Sequence, residues 1–93
     1  MSADKTKKSF IIINDKGLHT RPATELVKCA QNFKSQISLN NQGVVVNAKS
    51  LLGILMLAAG KGAKIEIEAL GEDADAAIDA IIALATNKFN IHY

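Results

Sequence analysis

The stretch Gly17-Leu18-His19-Thr20-Arg21-Pro22-Ala23 gathers an imidazole, a guanidinium and a proline within a few positions. Apolar residues then recur at Ala23, Leu26, Val27, Ala30 and Phe33, the spacing of one helix face, so His19 falls where a loop enters a helix. Pro22 suits the first turn of that helix. An opening turn has backbone N–H groups outside the helical ladder and a partial positive charge, and both favour a dianionic phosphoryl group. The same field disfavours imidazolium, which predicts a neutral, nucleophilic His19. Thr20 and Arg21 form the expected phosphate cradle. Arg21 brings a fork of donors, and Pro22 fixes a backbone angle while removing an N–H that would need a partner. Phosphoryl transfer asks mainly for positioning and charge stabilisation, and imidazole is a good leaving group, so such a site can pass the group on. A histidine near an arginine is, by itself, more often a plain loop residue beside a solvated charge. The chemical reading therefore rests on the whole heptad at a helix start.

The surrounding elements must hold that junction in place. Phe10–Ile13 is a short apolar run rich in β-branched residues and ended by Asn14, Asp15 and Gly17, which predicts a first strand. The polar, basic stretch before it, residues 1–8, is expected to be a loosely ordered tail, with residues 9–93 forming a single domain. Gln36–Asn40 and Val44–Val46, joined by a turn-rich loop, read as a hairpin. Ser50 is a favoured N-cap residue, and Leu51–Ala59 is expected to form a short helix ended by Gly60 and Gly62. Ala63–Ala69 alternates strictly, with Ile65 and Ile67 inward and Lys64, Glu66 and Glu68 outward, so one sheet face is wet. The last helix begins near Glu72, Asp73 and Asp75, carries Ala77, Ile78, Ile81, Ile82 and Ala85 as its apolar stripe, and has Lys88 near its end. The order is βαββαβα. A sheet with one wet face must gather its helices on the other, giving an α/β (α+β) open-faced sandwich.

Composition narrows the classes of function. A chain of 93 residues with 48% hydrophobic residues suits one compact core, and 4% aromatics make that core aliphatic. A net charge of +2 is too small for a nucleic-acid footprint, and no strand carries stacking aromatics. With Cys29 as the single cysteine and only His19 and His92 as histidines, neither an internal disulfide nor a zinc site is expected. The stretch Leu51–Ala59 is too short for a membrane span, and residues 1–8 contain no signal-peptide core. A soluble protein of the reducing cytoplasm is the expectation. Cys29 reads as a small core residue. Gly60-Lys61-Gly62 lacks the P-loop pattern and reads as a turn, and His92 has no motif around it.

Ser50 alone would read as an ordinary cap. The following Leu51, Leu52, Gly53, Ile54, Leu55, Met56 and Leu57 are apolar all round, yet a short surface helix buries only one side. Leu51, Leu52 and Leu55 are the expected exposed docking residues, in part by family resemblance.

From about Ser9 to Lys88 the sequence resembles HPr, the histidine-containing phosphocarrier of the bacterial phosphoenolpyruvate-dependent sugar phosphotransferase system. The resemblance is carried by Gly17–Ala23, which matches the family's Gly-Leu-His, small residue, Arg-Pro-Ala signature. It is carried equally by Lys49-Ser50-Leu51-Leu52-Gly53, which matches its Lys-Ser, apolar, Gly signature. The resemblance implies a four-stranded antiparallel sheet covered by three helices on one face. It implies phosphorylation of His19 at Nδ1 by enzyme I, with Arg21 steadying the group, and transfer to enzyme IIA domains. The protein would be a carrier rather than an enzyme and would need no metal or organic cofactor. Ser50 occupies the place of the family's regulatory serine, the substrate of an ATP-dependent HPr kinase/phosphorylase. Neither nucleic acid nor membrane insertion is expected, and a shuttle that must leave each partner is expected to be a monomer. A different class of function, a regulatory interaction module acting through the Ser50 surface in a nitrogen-related or kinase-signalling branch, is disfavoured by the retained His19. The ending Phe89-Asn90-Ile91-His92-Tyr93 departs from the acidic ending of some relatives, so no carboxylate restraint on Arg21 follows from the resemblance.

Overall fold

A computed structural model describes residues 5–91. Strands β1 (Lys5–Ile11), β2 (Gln36–Asn41), β3 (Val44–Asn47) and β4 (Lys64–Leu70) form one antiparallel sheet in the order β1-β4-β2-β3. Helices α1 (Thr20–Ala30), α2 (Leu51–Met56) and α3 (Ala74–Thr86) complete the βαββαβα order. The alternation in β4 sorts its two faces as expected: Ile65, Ile67 and Ala69 are buried, whereas Lys64 and Glu66 are exposed. Phe10 of β1 and Ile37 and Leu39 of β2 join the buried face. Leu26 of α1, Ile54 of α2, and Ile78 and Ile81 of α3 close over it in one core cluster.

Besides one-residue shifts in β2, β3 and β4 and the end of α1 at Ala30, ahead of Phe33, three larger differences from the sequence expectations stand out. The first strand runs over Lys5–Ile11 rather than Phe10–Ile13, so Lys5 to Lys8 belong to the sheet and not to a tail. Its length is dictated by its partner, since Lys5 pairs with Leu70 and Ile11 with Lys64 along all of β4. Polar side chains are tolerated there because Lys5, Lys7 and Ser9 lie on the wet face, while Thr6 and Lys8, on the side of Phe10, bond Asp75 and Asp79 of α3. Residues 1–4 of the expected tail, and His92, lie outside the described residues. Helix α2 ends at Met56, not near Ala59, and the reversal is made by Ala58 at φ 51° rather than by Gly60. Ala59 then turns its carbonyl to the Leu18 N–H, at 2.9 Å.

The third difference lies at the C-terminal end. Lys88 does not lie in the last turn of α3 but opens a left-handed turn, in which Lys88, Phe89 and Asn90 have φ values of 55°, 55° and 61°. Each such non-glycine residue costs about 1 kcal/mol or more, so the turn needs anchors. Phe89 supplies one: it is fully buried and meets Phe10 edge-on, with ring centroids 6.4 Å apart. Burial of that aromatic ring offsets part of the backbone strain. The start of α3 is tied to the segment just ahead of β2 in a different way. The Asp73 carboxylate accepts from the Lys34 and Ser35 N–H groups at 2.8 and 2.9 Å, and from the Ser35 hydroxyl.

The sheet's exposed hairpin turn is built from the residues its geometry demands. Gln42 and Gly43 both have positive φ, at 53° and 91°, and the Gly43 N–H donates to Asn40 Oδ1 at 2.8 Å. Cys29 is half-buried against the core, and burial pushes its thiol pKa up, in line with a packing role. No helix among the described residues is long and apolar enough to cross a membrane.

Candidate functional site

The junction read from the sequence is present. His19 is the N-cap residue of α1, with extended backbone angles (φ −81°, ψ −168°), and its side chain does not cap its own helix. The helical ladder starts with the Ala23 N–H donating to the His19 carbonyl at 3.0 Å. Pro22 is buried and offers no N–H, so the outermost amides of the turn are those of Thr20 and Arg21. Both of these residues are exposed, and His19 is half-buried. An imidazole at the positive end of an eleven-residue helix, with amides and a guanidinium one turn away, suits the holding of an anion.

The loop before His19 is held by its glycine. Gly17 has φ 69°, and a Cβ there would lie 2.3 Å from the Ala59 carbonyl oxygen and 2.8 Å from Gly60 Cα. Only a residue without a side chain lets this loop press on the segment after α2 and take the hydrogen bond between Leu18 and Ala59. Gly17 also donates its N–H to the Asn14 carbonyl at 2.9 Å, which closes a tight turn. Asp15, on the same loop, is drawn toward Lys61 at 3.0 Å, and that hydrogen bond and charge hold its carboxyl below the ordinary range.

His19 opens onto a shallow hollow of about 310 Å³, shared with Lys16, Leu18, Leu55, Ala58, Ala59 and Gly60. Arg21 lines a second hollow of about 350 Å³ with Thr24, Glu25, Asn90 and Ile91. The structure thus brings Leu55 to the histidine, while Leu51 and Leu52 lie along α2 outside that hollow. Ser50 begins α2 as a cap, its hydroxyl oxygen accepting from the Gly53 N–H at 3.0 Å. Leu51, Leu52 and Leu55 are exposed to 38%, 69% and 36%, against 0% for Ile54. Met56, at 66%, belongs to the same patch and was not among the residues chosen from sequence; its position four residues after Leu52 was the available signal. The contributions of Lys16, Ala58 and Ala59 carried no sequence signal, because they depend on how two loops meet. Among the described residues no cluster of side chains is suited to hold a metal ion.

The family model for the PTS HPr component phosphorylation site matches residues 6–87. This chain belongs to the HPr family. The phosphocarrier protein HPr of Cupriavidus necator is 45% identical over 78 residues, which span 84% of this chain and 88% of that one. HPr-C-His from Thermoanaerobacter tengcongensis superposes with a TM-score of 0.90 at 36% identity, covering 95% of this chain and 99% of its own. The phosphocarrier HPr of Bacillus anthracis gives 0.81 at 38% identity, covering 85% and 94%. The four-stranded antiparallel sheet with three helices is the HPr fold, and the phosphotransferase-system role read from the heptad is that of the HPr family.

Proposed function

We propose that His19 is the phosphoryl acceptor of a cytoplasmic carrier that shuttles between enzyme I and enzyme IIA domains. The observation that carries this reading is the placement of His19 as an N-cap residue whose ring is not spent on capping its helix. In the first step the Nδ1 lone pair attacks phosphorus, and the N–P bond forms as the donor's bond to phosphorus breaks. The transferred group is dianionic, and the Thr20 and Arg21 amides, the helix dipole and the Arg21 guanidinium offset that charge. In the second step the acceptor's nucleophile displaces imidazole, the His19 N–P bond breaks, and the carrier returns unchanged. The chain is therefore a stoichiometric intermediate and not a catalyst.

Leu51, Leu52, Leu55 and Met56 form the docking surface in this reading, because they lie exposed on the helix that contributes Leu55 to the histidine hollow. Ser50 is the site of regulatory phosphorylation by an HPr kinase/phosphorylase. A phosphate there meets the N-terminus of α2, so the fold is retained and the added charge acts on docking.

Incubation with phosphoenolpyruvate, magnesium and enzyme I should yield an acid-labile, base-stable adduct that disappears in His19→Ala. An adduct that persists in that variant overturns the assignment. Capture of acceptors by the phosphorylated protein from its own cell extract distinguishes sugar-uptake partners from those of a nitrogen-related branch.

A further inference from the structure

The strained turn at Lys88–Asn90 and the loop that carries His19 meet at a single buried side chain. Asn14 is only 5% exposed, and its Nδ2 donates to the Lys88 carbonyl at 2.9 Å. Its own carbonyl accepts the Gly17 N–H that closes the turn before His19. Only the amide nitrogen can pair with a carbonyl, so the orientation of the Asn14 side chain is fixed by its partner. Its Oδ1 is buried with no hydrogen-bond partner among the described residues. A buried amide that leaves one atom unpaired is costly, and an apolar residue would avoid that cost, so the tether to Lys88 must matter more than local satisfaction.

The far end of that tether leads to Arg21. Lys88, Phe89 and Asn90 are successive left-handed residues, a run that persists only where its surroundings over-determine it. Phe89 anchors it from the core, and Asn87 Nδ2 bonds Asn90 Oδ1 at 2.8 Å from the outside. The turn delivers Asn90 and Ile91 to the wall of the hollow that Arg21 lines. We propose that Asn14 is a positioning residue of the phosphoryl site: it locks the His19 loop and the C-terminal turn into one arrangement, so that the wall against Arg21 keeps the guanidinium on the side where the phosphoryl group arrives. This rests on the phosphocarrier reading of His19.

The test pairs Asn14→Leu, which keeps the volume and removes the donor, with Arg21→Ala. Asn14→Leu should lower kcat/KM for phosphoryl transfer from phospho-enzyme I by about tenfold, the scale expected when a reacting group is slightly misplaced. In the Arg21→Ala background it should add nothing further, because its effect runs through Arg21. Asn87→Ala, a surface change that loosens the same turn without touching the core, should act in the same direction by a smaller factor and show the same dependence on Arg21. A lower melting temperature with unchanged transfer, or losses that multiply in the double variant, would leave Asn14 a structural residue only and overturn the proposal. The Arg21 Nε–H resonance of the unphosphorylated protein separates the two hypotheses. If it stays put in both Asn14→Leu and Asn87→Ala, the positioning role fails. If the wild-type protein takes no label while that resonance does move, it is the carrier reading that fails.

Discussion

Helices α1 and α2 begin with opposite solutions to one problem. At α2 the cap residue is Ser50, and its hydroxyl oxygen takes up the Gly53 N–H at 3.0 Å, so the helix start is satisfied from within. At α1 the cap residue is His19, whose side chain makes no such bond, and Pro22 deletes one donor instead of pairing it. A capped start is worth about 1 kcal/mol, so leaving α1 uncapped forgoes stability that α2 secures. Of these two starts, the first is the one without a side-chain cap, as the proposed anion site requires. The contrast also explains why α2, only six residues long, needs its cap, while α1, at eleven, holds on through buried Leu26, Ala23 and Ala30.

The largest effect that would break this contrast is at the histidine. His19→Ala should abolish labelling from phosphoenolpyruvate while leaving a chain that still unfolds cooperatively, since the imidazole does not cap α1. Denaturant titration beside the labelling assay checks both halves. A large loss of stability would show that the imidazole is structural and remove the distinction between the two starts. Next in size is Gly17→Ala. The added methyl would sit 2.3 Å from the Ala59 carbonyl oxygen on a backbone already at φ 69°, so the loop must shift. A stability loss of about 1–3 kcal/mol and a fall in transfer of tenfold or more are expected, because the displaced group is the proposed phosphoryl acceptor. Unchanged transfer kinetics would show that the contact between the two loops is not what aims His19.

The sequence made the α1 junction legible because a histidine, an arginine and a proline ahead of a 3.6-residue apolar pattern are local signals. The alternation of Ile65 and Ile67 with Lys64 and Glu66 was local too, and it sorted the sheet's faces correctly. What could not be read were features set by distant partners. The extent of β1 comes from its pairing with β4, whose members lie some sixty residues away along the chain. The end of α2 depends on Ala58 adopting φ 51°, which no composition rule assigns to alanine. Asn14 looked like a strand terminator, and its bond to the Lys88 carbonyl joins positions at opposite ends of the chain. At the candidate site, His19 and Arg21 stand out by residue type, whereas Lys16, Ala59 and Asn90 line its hollows only through the way loops pack.

A smaller effect sharpens the comparison from the α2 side. Ser50→Ala should cost about 1 kcal/mol by denaturant titration and leave His19 labelling by enzyme I intact, because the bond it removes serves only α2. The third helix start extends the contrast and predicts a pH dependence. Asp73 occupies the cap position of α3, but its carboxylate is turned to the Ser35 hydroxyl and to the Lys34 and Ser35 N–H groups, which hold its pKa below the ordinary 3.8. A group whose folded pKa is depressed stabilises the fold above its unfolded value and loses that contribution as pH falls through the folded one. Stability that Asp73 provides is therefore complete at neutral pH and drains away on acidification below about pH 4. Asp73→Asn should lower stability at neutral pH and flatten that acid branch, measured by denaturant titrations at successive pH values. If the variant keeps the wild-type acid slope, the Asp73 carboxylate is not what clasps the segment ahead of β2 to the start of α3.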